Sequence, residues 1–394
     1  MTIVALEALS FGLDRLARAA SAAGHGFHLF TGDRAVYRHE LASVDPAALT
    51  VVDVDTADLA AVRRALAAVP DLAGLVNTTD TWSVPAADLA VEFALPGPDP
   101  TAVRGLRDKS VVRRRLHGAG LSRGSASDDP AAVELPAVIK DSAGTSSRAV
   151  WIVHDETERS AALAAAATTA LKGTLFAEPF LAGPLYSAET LTWQGQTRLL
   201  GVASRQTSRT PAVREEGAAF PVALPPQEGE RIADWVAQVL AVAGHDQGFA
   251  HVEFVLTAHG PELVEVNRRI GGALIGEALC RAYGNAVYEA LVDVTLGVRP
   301  ALLDAPAAVE PAVAFVLVYA DRPGVLTGWR GLEGLAAFPG DVEWYPVRAA
   351  GDSVPAVDDQ RGCTGMVLAQ GPTAELAQHR AWSAATSVRP LMTP

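Results

Sequence analysis

The sequence has very few lysines: only Lys109, Lys140 and Lys172, against 29 arginines among its 32 basic residues. Lysine is a compact point charge, whereas arginine is a broad planar fork. Where arginine has been accepted almost everywhere, a remaining lysine can mark a narrow site that needs the smaller cation. The two cysteines, Cys280 and Cys363, lie far apart without metal-site spacing. They exclude a disulfide scaffold, fit a reducing compartment, and are expected to be buried apolar residues rather than nucleophiles.

Long apolar runs and a targeting segment are also missing. No stretch approaches the roughly 20 apolar residues that span a bilayer, and the first residues lack the regions of a signal peptide. These features predict a cytoplasmic protein without a membrane partner. The net charge of −13 disfavours a nucleic-acid partner. With 394 residues, 49% of them hydrophobic, the chain can form two or three globular domains.

Two common nucleotide-binding motifs are absent. The first strand is not followed by G-x-G-x-x-G, which disfavours a dehydrogenase, and no Walker A sequence occurs anywhere. Strand-like and helix-like segments alternate up to about Pro100 and predict a parallel sheet. Later strand and helix patterns are mixed, and the last ninety or so residues predict a small α+β unit.

The segment 248–272 predicts a hairpin with chemistry on one face. Alternation along a strand puts Glu265 and Asn267 on the same side. If the turn centres on His259, Glu253 lies opposite Glu265, and facing carboxylates are unfavourable without a countercharge. Two carboxylates and an amide oxygen suit Mg²⁺. The alternative is a solvated acidic face, which does not account for the cations and glycines of residues 268–272.

This segment resembles the ATP-grasp superfamily pattern of Glu, about a dozen residues, then Glu-x-Asn-x-Arg. The resemblance implies that Glu253, Glu265 and Asn267 hold two Mg²⁺ ions on ATP, for which Mn²⁺ can substitute. It also implies that Arg269 stabilises charge on the reacting phosphoryl or acyl group. The chain departs from many members at Arg268, where they have proline.

Lys140 ends an apolar strand and is followed by the small-residue loop 141–148. By itself this is an ordinary hairpin loop. It resembles the ATP-grasp lid, in which a strand lysine precedes a flexible loop that closes on the β- and γ-phosphates. The resemblance implies phosphate contacts for Lys140, Ser146 and Ser147. The family usually has proline at the position of Asp141.

Lys109 stands at the start of a predicted helix, where a cation opposes the helix dipole. It is either a surface lysine or, as the resemblance implies, a ligand of an ATP phosphate. The third lysine, Lys172, is predicted to lie on the surface without a role.

Residues 176–184 resemble the adenine-binding hinge of the superfamily. The resemblance implies that backbone groups of Phe180 and Leu181 read the adenine edge, with Glu178 beside the exocyclic amine. Where many ligases have a ribose-binding glutamate, this chain has Leu185. The ribose contact is therefore expected from Tyr186 or Glu189.

The resemblance covers roughly residues 1–300 and implies a fold of mixed α/β and α+β type. We expect an N-terminal Rossmann-like pre-ATP-grasp domain (1–103), an ATP-grasp domain of two α+β subdomains (104–303, lid about 113–174) and a small C-terminal α+β domain (304–394). The C-terminal part is similar to L-amino-acid ligases and biotin-carboxylase-like members.

The resemblance implies a ligase that joins a small carboxylate to an amine through an acyl-phosphate, and a homodimer is common among such relatives. Its substrates stay open: a dipeptide, a siderophore precursor or another secondary metabolite fits equally. The alternatives are a carboxylase that uses bicarbonate and a nucleotide-binding module without catalysis.

Overall fold

The computed structural model describes residues 1–208, 213–306 and 311–393. The N-terminal part is an α/β unit whose four strands are all parallel, in the order β3-β2-β1-β4. The first strand is buried at all five positions, as expected for a parallel strand covered on both faces. The elements are β1 (Thr2–Leu6), α1 (Leu13–Ala22), β2 (Gly26–Thr31), α2 (Arg38–Leu41), β3 (Thr50–Asp53), α3 (Leu59–Ala67), β4 (Leu72–Val76), α4 (Ser83–Glu92) and α5 (Pro100–Arg107).

A small antiparallel sheet follows, in the order β6-β5-β7, with one helix before its first strand in sequence and another between its second and third strands. Its apolar residues form a core of their own, which includes Ile139 and Ala177. The elements are α6 (Lys109–Gly118), β5 (Ala137–Asp141), β6 (Val150–Val153), α7 (Glu156–Thr168) and β7 (Leu175–Pro179).

The middle of the chain supplies long antiparallel strands and the helices that cover them. Its elements are β8 (Leu185–Trp193), β9 (Gln196–Thr207), β10 (Glu215–Phe220), α8 (Pro226–Ala243), β11 (Gly248–Thr257), β12 (Gly260–Asn267), α9 (Ile275–Tyr283) and α10 (Ala286–Thr295). The C-terminal elements are β13 (Ala312–Tyr319), β14 (Gly324–Arg330), β15 (Glu343–Pro346), β16 (Ser353–Val354), β17 (Cys363–Gly371), α11 (Ala374–Ala385) and β18 (Arg389–Thr393).

Eight of these strands form one continuous antiparallel sheet, in the order β12-β11-β8-β9-β10-β13-β17-β15. Of the C-terminal strands, β13, β15 and β17 therefore extend the large sheet, whereas β14, β16 and β18 make a separate three-stranded sheet. The domain divisions at residues 103 and 303 stay predictions. The α/β and α+β fold class is confirmed.

The two faces of the large sheet differ in chemistry. Val252, Phe254 and Val266 pack against Trp235 and Val239 of α8 in an apolar core. Because side chains alternate along a strand, the residues between them point to the opposite face. That face carries the acidic residues of β11 and β12. Within the described ranges, no helix is both long and apolar enough to cross a membrane.

Candidate functional site

A cleft of about 560 Å³ lies between the small sheet, the polar face of the large sheet and the N-terminal unit. The N-terminal unit contributes Leu9, Ser10 and Phe11, and the C-terminal strands contribute Leu317 and Met366. The cleft brings together eleven of the thirteen site residues predicted from the sequence. They are Lys109, Lys140, Ser146, Ser147, Glu178, Phe180, Leu181, Glu253, Glu265, Asn267 and Arg269.

The hairpin β11–β12 pairs Glu253 with Glu265 as the alternation predicts. Nζ of Lys109 lies 3.1 Å from the Glu265 carboxylate, and Nδ2 of Asn267 donates to it at 2.7 Å. Burial raises the pKa of Glu265, but Lys109 and Asn267 outweigh burial and hold that pKa below its ordinary range. Glu265 is therefore ionised and already surrounded by donors.

Glu253 has different partners, which the sequence did not predict. Its carboxylate lies 3.3 Å from the guanidinium of Arg205 and 3.2 Å from Nε2 of His251. Burial and Glu265 raise the pKa of Glu253, and Arg205 with His251 more than offsets them, so that the pKa is lowered. Because side chains alternate along β11, His251 shares the face of Glu253, whereas Arg205 comes from β9 and carries no local signal.

Behind this pair lies a buried second row of charges. Glu189 is 2.7 Å from Nδ1 of His251, and Glu215 is 3.0 Å from Nε of Arg205. Burial lowers the pKa of His251, but the Glu189 carboxylate raises it more strongly, to about 9. The guanidinium of Arg205 lies 2.7 Å from Nε2 of His251 and opposes that rise. Arg205 and His251 thus lie between the hairpin carboxylate of Glu253 and the buried carboxylates of Glu189 and Glu215.

The donor set fits Mg²⁺ carried by a nucleotide. Glu253, Glu265 and Asn267 offer hard oxygen atoms on neighbouring strand positions. Among residues 1–208, 213–306 and 311–393, no group of three or more His, Cys, Asp or Glu side chains is arranged as a complete metal site. An ion here would complete its shell with phosphate and water oxygens, which is how Mg²⁺ is commonly bound in ATP-using enzymes.

Lys140 and Glu178 form a buried ion pair at 2.5 Å. Nε of Arg113 donates to the other Glu178 oxygen at 2.9 Å. Burial lowers the pKa of Lys140, while Lys140 and Arg113 overcome burial and lower the pKa of Glu178. The Glu178 carboxylate, expected beside the adenine amine, is thus turned toward two cations at the edge of the cleft.

Lys109 contacts the predicted phosphate loop directly. Its Nζ donates to the carbonyl of Gly144 at 2.6 Å, in addition to its contact with Glu265. The unfavourable position of Lys109 at a helix start is offset by Asp108, whose side chain caps α6. In the loop, Ser146 and Ser147 both have positive φ angles, 59° and 56°. Lys109 therefore lies between the loop and the hairpin.

Asp141, which stands where the family usually has proline, fastens the base of the loop. Its carboxylate accepts hydrogen bonds from the backbone of Ala143, Lys172 and Gly173. Lys172 is exposed as predicted, but its Nζ donates to Oγ1 of Thr145 at 2.9 Å. Burial, then nearby arginines, lower the pKa of Lys172. All three lysines of the chain thus lie in or against the segment 140–145.

The hinge places Phe180 and Leu181 on the cleft wall. The N–H of Phe180 donates to the carbonyl of Pro136 at 3.1 Å. Among the described residues, the carbonyl of Phe180 and both backbone groups of Leu181 make no such hydrogen bond, which leaves them open to an adenine edge.

The structure places the side chains of the two predicted ribose ligands, Tyr186 and Glu189, outside the cleft wall. The ring of Tyr186 stacks on Phe254, with centroids 5.7 Å apart, on the helix-covered face of the sheet. Glu189 is on the cleft side but lies buried beneath His251, to which it is bonded. Neither side chain lines the cleft.

Arg269 is held by a residue that the sequence did not single out. Its Nε and one terminal nitrogen lie 3.0 and 2.6 Å from Oδ2 of Asp80, in the loop between β4 and α4. Burial lowers the pKa of Arg269, but Asp80 more than offsets it and the pKa is raised. The N-terminal unit therefore contributes a charged group to the cleft.

Comparisons with known proteins agree with this geometry. Residues 133–277 match the ATP-grasp domain, and residues 316–392 match L-amino acid ligase C-terminal domain 2. An uncharacterized protein of Sinorhizobium fredii is 27% identical over 294 residues, which is 70% of this chain and 59% of that protein. Carnosine synthase 1 of Homo sapiens is 29% identical over 129 residues, 33% of this chain and 16% of the synthase. The chain thus spans less than two thirds of these relatives.

Solved structures with the same fold cover the whole chain. L-amino acid ligase from Bacillus licheniformis superposes with a TM-score of 0.83 at 19% identity, over 100% of this chain and 99% of the ligase. Biotin carboxylase from Campylobacter jejuni gives 0.74 at 16% identity, over 99% and 92% of the two chains. Phosphoribosylglycinamide synthetase from Anaerococcus prevotii gives 0.74 at 14%, over 100% and 99%. The chain therefore contains an ATP-grasp domain and a C-terminal domain of the L-amino acid ligase type.

Proposed function

We propose that this protein is an ATP-dependent ligase that joins a small carboxylate to an amine and releases ADP and phosphate. The observation that carries the proposal is the meeting, in one cleft, of two facing carboxylates with Lys109, Lys140 and Arg269. The C-terminal match to L-amino acid ligases supports an amino acid as one of the substrates.

The reaction would proceed in two steps. An oxygen of the substrate carboxylate attacks the γ-phosphorus of ATP, the bond to the ADP oxygen breaks, and an acyl-phosphate forms. The amine then attacks the acyl carbon, the bond from that carbon to the phosphate oxygen breaks, and the released phosphate takes up the proton that the nitrogen loses. Both steps move negative charge between oxygens, so the protein acts mainly by positioning and by charge stabilisation.

The roles of the residues follow from where their charges lie. Lys140 and Lys109 would bind phosphate oxygens, with the backbone around Ser146 and Ser147 adding N–H donors. Lys109 would exchange its contact with Glu265 for a phosphate. Arg269 would stabilise charge on the transferred phosphoryl group or on the tetrahedral intermediate.

Glu253, Glu265 and Asn267 would hold Mg²⁺, which neutralises phosphate charge when it is bound. We propose two ions, for which Mn²⁺ can substitute. A titration of Mn²⁺ against the protein with ADP, followed by electron paramagnetic resonance, counts the ions: two bound per chain support this part of the proposal, and one corrects it.

The function is tested by ADP release from Mg-ATP with amino acids and small di- and tricarboxylates, singly and in pairs. The proposal requires stimulation by an acid and an amine together and a condensed product in the mass spectrum. Bicarbonate in place of the acid is a separate arm, and stimulation there would assign a carboxylase instead. Mg-ATP binding without turnover in any arm would indicate a module without catalysis.

Replacing Glu265 by glutamine keeps its shape and removes the charge that faces the metal. We expect Glu265→Gln to lower ADP formation at least about 100-fold, as for the loss of a main electrostatic group. The matched control is Glu92→Gln, whose carboxylate pairs with Arg63 on the exposed surface of the N-terminal unit. Turnover close to that of the control, with unchanged Mg²⁺ dependence, would remove Glu265 from the metal site.

A further inference from the structure

Asp80 and Arg269 are 189 residues apart in sequence, and the Arg269 guanidinium donates two hydrogen bonds to the Asp80 carboxylate at the cleft. Their side chains are only 12% and 13% exposed. Asp80 lies outside residues 133–277, which match the ATP-grasp domain. The acid that Arg269 contacts therefore comes from the N-terminal unit, outside the matched ATP-grasp segment.

The loop that carries Asp80 is firmly held. Nδ2 of Asn77 donates to the carbonyl of Leu6 at 2.9 Å, and Asn77 also accepts from the N–H of Thr79. Oγ1 of Thr78 accepts from the N–H of Leu9 at 2.9 Å, and Oγ of Ser83 donates to the carbonyl of Asp80. A carboxylate on such a loop can orient a partner side chain because its own position is fixed by several bonds.

Arg269 has other acids within electrostatic reach. Arg269 follows the end of β12 by two residues and lines the same cleft as Glu253 and Glu265. Without Asp80, this guanidinium would find its nearest countercharge in the two carboxylates of the hairpin. An arginine bound to them would compete with the metal for the same oxygens. Oδ1 of Asp80 also lies 3.8 Å from Arg107, whose other terminal nitrogen donates to the carbonyl of Ala143 in the phosphate loop.

We propose that Asp80 is a positioning residue that holds Arg269 toward the reacting groups and away from the metal-binding carboxylates Glu253 and Glu265. The inference rests on the proposed function for its effect on turnover, but it also makes a claim about metal binding that needs no substrate. It further assigns the N-terminal unit a direct part in the catalytic geometry.

The first test measures Mn²⁺ affinity in the presence of ADP by electron paramagnetic resonance. Asp80→Ala is expected to weaken Mn²⁺ binding about 10-fold because the released arginine covers the carboxylates. The double variant Asp80→Ala/Arg269→Ala is expected to recover the affinity of Arg269→Ala. Unchanged Mn²⁺ affinity in Asp80→Ala, or no recovery in the double variant, overturns the inference whether or not the protein is a ligase.

The second test measures turnover. A displacement of about 1 Å in a catalytic group can cost on the order of 100-fold, so Asp80→Ala should lower kcat by about 10- to 100-fold with a nearly unchanged KM for ATP. In the Arg269→Ala background it should cost nothing more. A higher kcat in Asp80→Ala would mean that Asp80 restrains Arg269, against the proposal.

Asp88→Ala is the matched control, since Asp88 lies in the following helix and its 2.6 Å pair with Arg104 is exposed. It should leave both readouts as in the wild type. Thermal unfolding identifies a variant that does not fold, and Asp80→Asn, which keeps the size and loses the charge, then replaces Asp80→Ala. The same results are required of it.

Discussion

Replacing Glu178 with glutamine would leave Lys140 and Arg113 without the carboxylate that both of them contact. The side chains of Arg113, Lys140 and Glu178 are 3%, 5% and 6% exposed, so water cannot replace the lost charge. Removing one partner of a buried ion pair costs about 3–5 kcal/mol, because the remaining charge stays buried. We expect Glu178→Gln to lower the free energy of unfolding by this amount.

The assay is urea unfolding followed by circular dichroism and by tryptophan fluorescence. Asp88→Asn is the comparison, because it removes a carboxylate from a pair whose side chains are 52% and 40% exposed. An exposed pair contributes about 0–1 kcal/mol. If Glu178→Gln costs no more than Asp88→Asn, the cluster does not depend on its charge and the reasoning from burial is refuted.

Two further predictions concern backbone and pH. Gly12 has a φ angle of 95°, and a Cβ atom there would lie 1.7 Å from the Tyr288 hydroxyl. Gly12→Ala should therefore lower the free energy of unfolding, measured with urea, by about 2–4 kcal/mol. Gly24→Ala is the control: its φ is also positive but a Cβ there would meet open space, so it should cost only about 1 kcal/mol. His245 is buried, and burial lowers its pKa to about 3, so the unfolded chain binds the extra proton below about pH 6.5. As the pH is lowered from roughly 6 to 4, the free energy of unfolding should therefore fall by about 1.4 kcal/mol per pH unit. His245→Gln should remove this dependence. The control His259→Gln, at an exposed turn, should leave it unchanged.

The hairpin was predictable because its information is local. A two-residue period and one turn were enough to place Glu253 opposite Glu265. The register shift just after Glu253 was not predicted. Between that point and the turn, every residue pair is displaced by one position, so that Phe254 faces Leu263. A bulge adds one residue to one strand, and here that residue is the apolar Val264, which the sequence does not distinguish from its paired neighbours.

The rest of the site depends on contacts across the fold. Asp80 and Arg205 come from segments whose own patterns are those of a loop and an ordinary strand. Only the assembled sheets bring them to the cleft. Tyr186 shows a different failure: it adjoins Leu185, which lines the cleft, and neighbouring strand residues point to opposite faces. Strict use of alternation would have excluded it.

The continuous sheet affects how this protein can be recombined with its relatives. The strands β10 and β13 meet through four residue pairs, from Gly217 with Val316 to Phe220 with Val313. A shortened chain that ends before β13 would leave β10 as an open edge, and unpaired strand edges promote self-association. Chimeras that import another C-terminal part should therefore cross over inside a loop and keep this register. If the grafted strand were shifted by one residue, Leu317 would point away from the cleft. The residues of β13 that pack against the helix would point into the cleft instead.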